Sequence, residues 1–145
     1  MIEIISDKKI LRISAFEREN TPNTPNAPAY DWIKTYVEYH LPELNVQYQA
    51  SFNVGELSEL KDKLIALHTH LINENAHTDV IFESTENQLN LVFTPSSFGH
   101  GALMSLTLRP ENPAESVVIS DCLGLDESYF PALIAGLEEI INLQR

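Results

Sequence analysis

Hydrophobic and polar positions alternate along several short stretches of this chain and recur at helical spacing in two longer ones, and the switch between the two periods marks its elements. Ile2 to Ile5 and Ile10 to Phe16 are β-prone runs on either side of "SDKK", which suits a tight turn and predicts an opening hairpin. Within residues 31–40, "DWIKTYVEYH", Ile33, Val37 and Tyr39 fall on one side and Trp32, Lys34, Tyr36, Glu38 and His40 on the other. Residues 45–53 alternate again, Val46, Tyr48, Ala50 and Phe52 against Asn45, Gln47, Gln49 and Ser51. These two stretches read as a hairpin with one apolar face and one aromatic, amide-rich face.

Asn53 and Glu56 form a capping-box pattern, and Leu57, Leu60, Leu64, Leu67 and Leu71 follow at helical spacing, which predicts a helix from about residue 55 to 73. Val80 to Glu83, Gln88 to Thr94, Ala102 to Arg109 and Ser116 to Leu123 are further strands, joined by "STEN", "PSSFGHG" and "PENPAE". Connections this short imply an antiparallel meander. In "LDESYFPALIAGLEEII" the stripe Phe130, Leu133, Ile134, Leu137, Ile140 and Ile141 predicts a second helix, with Asp126 or Ser128 at its start and Pro131 in its first turn. The expected fold is α+β: an antiparallel sheet of about six to eight strands with two amphipathic helices on one face, forming one domain over residues 1–145. The proline-rich residues 20–28, "NTPNTPNAP", suit only a surface loop. The sequence holds no internal repeat.

A chain of 145 residues buries roughly 70% of its unfolded surface, enough for its own core. No apolar run approaches the ~18 residues of a membrane span, and the N-terminus lacks a secretory pattern. The single cysteine, Cys122, rules out an internal disulfide and fits a reducing compartment, so the expectation is a cytoplasmic protein without membrane attachment. Charge changes the picture more: 21 acidic against 9 basic residues give a formal net charge of −12. That excess repels nucleic acid and favours cationic partners.

Chemistry is harder to place. Three of the five histidines lie in "LHTHLINENAH", residues 67–77, but on a helix His68 and His70 point about 200° apart and His77 lies beyond the helix end, so no shared metal is expected. Cys122 reads as a small buried thiol in a strand. The "FGHG" loop around His100 precedes a strand rather than a helix N-terminus and makes a poor phosphate cradle. Asp121, Asp126 and Glu127 offer a carboxylate pair, although the last two suit the start of the final helix. No catalytic residue, cofactor or metal is therefore assigned.

The order of "YDWIKTYVEY", "ASFNVGELSELKDKLIALH", "VIFESTENQLNLVF" and "LDESYFPALIAGLEEII" resembles that of WapI-type immunity proteins, from about Tyr30 to Ile141. Relatives often carry glycine just before the Trp of the first motif, where this chain has Asp31. The resemblance implies a small α+β protein that neutralises a bacterial toxin delivered between competing cells, and it brings no catalytic motif. On that reading the outer face of the hairpin, with Tyr36, Glu38, Gln47 and Gln49, is the candidate partner-binding surface, and the acidic loops around Glu83, Glu86, Glu111 and Glu115 come next. The alternatives are a small enzyme using His100 or the carboxylates near Asp121, and an adaptor domain without a toxin.

Overall fold

The structure, a computed structural model, describes residues 1–19, 27–75, 77–96 and 100–144. Most of the proline-rich loop and half of "FGHG" lie outside these residues. Strands β1 (Ile2–Ser6), β2 (Lys9–Arg18), β3 (Trp32–His40) and β4 (Asn45–Asn53) form an antiparallel sheet in chain order, and helix α1 (Val54–Ile72) follows. Strands β5 (Val80–Glu83), β6 (Leu89–Pro95), β7 (Ala102–Leu108) and β8 (Ile119–Leu125) form a second four-stranded sheet, and helix α2 (Phe130–Ile141) closes the order. The α+β class agrees with the sequence pattern, but the strands divide into two sheets rather than one. Alternation identifies each hairpin and leaves open whether β4 and β5 are neighbours; α1, inserted between them, carries the chain away to start a new meander.

The inner faces of both sheets and the facing stripes of both helices share one hydrophobic core. In β3 and β4 it takes Ile33, Val37, Tyr39, Val46, Tyr48, Ala50 and Phe52, as their alternation requires. The capping box at α1 forms as well: Asn53 Oδ1 accepts from Glu56 N–H at 2.7 Å, and Glu56 Oε2 accepts from Asn53 N–H at 2.9 Å. All five leucines of the α1 stripe are buried. The stripe of α2 is rotated slightly from its expected position, so that Gly136 lies inside with Phe130, Leu133, Leu137 and Ile140, while Ile134 and Ile141 pack at the margin.

Gly136 is where α2 meets β1. A Cβ there would lie 2.6 Å from Met1 O and 3.2 Å from Ile2 Cα. Alanine is the better helix former by about 0.8–1 kcal/mol, yet here the close approach decides. Gly136→Ala is expected to destabilise the protein by about 1–3 kcal/mol, because helix and strand must separate to admit the methyl group. Urea melts check this, and a rise in stability would mean that β1 yields freely.

At the other end of β1's partner, the register of β2 against β3 shifts between Ala15 and Glu17. The bulge leaves Phe16 unpaired and reverses which residues face inward. Arg18 thus pairs with buried Ile33 and turns to the inner side, where its Nε donates to Asp31 Oδ1 at 3.0 Å and its Nη1 to Leu143 O at 2.9 Å and Ile141 O at 3.2 Å. One guanidinium thereby ties β2 to the entry of β3 and to the C-terminus of α2, whose last carbonyls need donors. Asp31 is its carboxylate partner.

Candidate partner-binding surface

The β3–β4 register places Tyr36 opposite Gln49, Glu38 opposite Gln47 and His40 opposite Asn45, all on the outer face of the first sheet. The structure thus brings Tyr36, Glu38, Gln47 and Gln49 together as their alternation implied. Gln47 Nε2 donates to Glu38 Oε1 at 3.0 Å, and His40 Nδ1 lies 3.0 Å from Asn45 Oδ1. The bulge adds a residue the sequence reading omitted: Phe16 stacks on Tyr36 with ring centroids 4.3 Å apart, and both are 39% exposed. An exposed aromatic pair of this kind is held rigid at little entropic cost.

The cations of this face are matched. Arg12 Nε donates to Glu3 Oε2 at 2.6 Å, which holds the guanidinium pKa above its ordinary value, and Lys34 Nζ lies 3.6 Å from Glu17. Residues 1–40 carry six acidic and five basic side chains, residues 41–145 fifteen and four. The acidic excess therefore resides with α1, the second sheet and α2, away from the aromatic patch.

The chemical candidates are engaged in the fold. Asp121 accepts from Tyr39 O–H at 2.6 Å, from Lys9 Nζ at 3.0 Å and from Cys122 N–H at 2.8 Å, pinning β8 to the first sheet. Burial raises its carboxyl pKa, but these donors outweigh burial and leave it below the ordinary range; Tyr39's hydroxyl is raised well above its own, first by burial and then by Asp121. Asp126 Oδ1 accepts from Ser128 N–H at 2.9 Å at the 3-10 turn before α2, and Glu127 lies 3.8 Å from His68. Each carboxylate serves a different partner.

One expectation needs correction. Cys122 is exposed, because β8 turns Leu123 and Leu125 inward and Ser120, Cys122 and Gly124 outward. His77 lies beyond the end of α1, as its position implied, and its ring comes 4.7 Å from that of His70. The cause is the end of α1, where Glu74 adopts φ 56° and Asn75 N–H donates to His70 O at 2.9 Å, a left-handed turn that folds the chain back along the helix. His100 approaches the same end, with Nδ1 3.0 Å from Leu71 O and Nε2 3.1 Å from Glu74. Among the described residues, no group of three or more His, Cys, Asp and Glu side chains is placed to hold a metal ion. The cavity between the sheets measures only about 20 Å³, room for about one water. Among the described residues no helix is long and apolar enough to cross a membrane.

A family model described as "Immunity protein WapI-like family" matches residues 1–144. The chain belongs to the WapI-like immunity protein family. Solved structures of low sequence identity resemble this WapI-like chain in fold. The crystal structure of WHY1 from Arabidopsis thaliana matches with a TM-score of 0.50 and 12% identity over 96% of this chain and 81% of that one. The plant transcriptional regulator PBF-2 matches with a TM-score of 0.51 and 11% identity over 96% and 78%. At such identities the likeness concerns the fold alone. No curated protein matches this WapI-like sequence at a significant level.

Proposed function

We propose that the protein protects its cell by binding a toxin delivered by competing bacteria, acting in the cytoplasm by steric and electrostatic blocking rather than by catalysis. The observation that carries this reading is the family match over residues 1–144. Charge supports a particular kind of partner: a net −12 surface steers a basic protein toward it and speeds association at low salt. A toxin that binds a nucleic acid backbone, such as a nuclease, presents such a surface, and the same charge makes nucleic acid itself a poor ligand.

The outer face of the first sheet is the recognition surface we assign, with Tyr36 as aromatic anchor, Glu38 as a carboxylate for a basic residue, and Gln47 and Gln49 as adaptable hydrogen-bonding groups. Aromatic side chains dominate binding hot spots because they supply contact area with few rotors to freeze. The test is co-expression with the toxin encoded by the adjacent gene. Wild-type protein is expected to restore growth, and Tyr36→Ala with Glu38→Lys, once shown by circular dichroism to be folded, is expected to lose protection. Full protection by the variant would move the interface to another surface; absence of protection by wild type would remove the toxin reading itself.

A further inference from the structure

Each sheet has two edges, and at three of the four a side chain from elsewhere in the fold hydrogen-bonds a backbone carbonyl of the edge strand. Tyr129 O–H donates to Ile5 O of β1 at 2.8 Å, Gln88 Nε2 to Gln49 O of β4 at 3.4 Å, and Ser6 Oγ to Gly124 O of β8 at 3.5 Å. No such bond reaches β5 among the described residues. The hydrogen bonds flanking β6 identify which of its groups are open. Ser84 N–H donates to Leu89 O at 3.3 Å, while Arg109 N–H donates to Gln88 O at 2.9 Å on the opposite side of β6. Alternation then directs the backbone groups of Val80 and Phe82 toward β6 and those of Ile81 and Glu83 outward. An open edge of this kind is a template for another strand.

Helix α1 lies close to β5, and hollows remain between them. The two hollows, of about 130 and 270 Å³, are lined by α1 and the β5 region together and share Lys63 and Ile81. Ile81 is 51% exposed. The rim is acidic: Glu56, Glu59 and Glu83 border one hollow and Asp79 the other. Lys63, the one Lys or Arg in either lining, is already 2.9 Å from Glu59. Glu83 and Asp79 have no ion-pair partner among the described residues.

We propose that the groove between α1 and β5 receives an extended segment of the toxin, rich in lysine or arginine with apolar residues between them, which adds to β5 as a further antiparallel or parallel strand. This rests on the toxin reading and deepens it. Main-chain bonds to Ile81 and Glu83 supply affinity, and the acidic rim selects cationic side chains. A second copy of this chain is a poor occupant, since two molecules of net charge −12 repel each other and would place acidic rims together. The groove complements the aromatic patch, because it draws on the part of the chain that holds the charge excess.

The experiment is hydrogen exchange of the free protein and of its complex with the toxin domain encoded by the adjacent gene. Slowed exchange at the amides of Ile81 and Glu83 in the complex is expected. Ile81→Pro removes an outward donor without touching the β5–β6 ladder, and is expected to weaken toxin binding about tenfold, the effect of one lost hydrogen bond with its strand distortion. Asp79→Lys with Glu83→Lys, both at exposed positions, tests the charge without altering backbone, and is expected to weaken binding most at low salt. Tight toxin binding with unchanged exchange at these amides would overturn the groove proposal and leave the toxin reading standing. Concentration-dependent protection in the free protein would overturn it in favour of self-association. If wild-type protein does not bind the toxin at all, the parent reading fails, and the groove proposal with it.

Discussion

Phe130→Ala is expected to cost about 3–5 kcal/mol, a large fraction of the ~5–15 kcal/mol available to a protein of this size. The ring is fully buried where α2 begins, 6.3 Å from the ring of Phe93 on β6 and stacked against His68 of α1 at 5.8 Å. It is therefore the side chain at which both helices and the second sheet meet. Neighbouring elements are anchored elsewhere and cannot collapse fully into the space, so a cavity penalty adds to the lost burial. Urea melts followed by circular dichroism should show a lowered midpoint with little change in slope. A loss below about 1 kcal/mol would show that the first turn of α2 repacks without its ring.

Arg18→Ala is expected to be comparably severe, about 3–5 kcal/mol, for a different reason. Both side chains of the Arg18–Asp31 pair are largely buried, and the substitution removes the guanidinium from the carboxylate and from the carbonyls of Ile141 and Leu143. Arg18→Lys should recover only part of the loss, because a single ammonium cannot span a carboxylate and a helix terminus as the planar guanidinium does. The double variant Arg18→Ala, Asp31→Asn should be less destabilised than the sum of its single changes, since both single changes remove the same contact. Additive losses in thermal or urea melts would mean that the two side chains act independently.

The strands and helices were legible because their faces are uniform. Leu57 to Leu71 and the β3–β4 alternation each repeat one period without interruption, and the candidate hairpin was readable as to which residues share its outer face. What escaped depends on single backbone irregularities. The bulge at Ala15/Glu17 sends Phe16 outward and Arg18 inward, which strict alternation cannot foresee. The left-handed turn at Glu74 brings His77 back to His70 at a position where glycine is the usual signal. Ser116 and Val117 look like the start of β8, but the Glu111 carboxylate accepts from their N–H groups at 2.8 and 2.7 Å and holds them in the preceding loop, so the strand begins at Ile119. The open edge of β5 was out of reach for a broader reason: an edge exists only relative to the partners that fail to cover it, and those come from distant parts of the chain.

The contact of Gly136 with Ile2 has a temporal consequence. Within each sheet every strand pairs with its sequence neighbour, so hairpins can form as the chain emerges. The outer side of β1, however, is completed by α2, with Met1 N 3.0 Å from Glu139 and Tyr129 O–H bonded to Ile5 O. β1, synthesised before the other described strands, thus waits for a helix that follows them in the chain, and until then its apolar Ile2 and Ile4 lack part of their cover. The hairpins can therefore form early, but the first sheet reaches its final packing only once α2 has docked against β1.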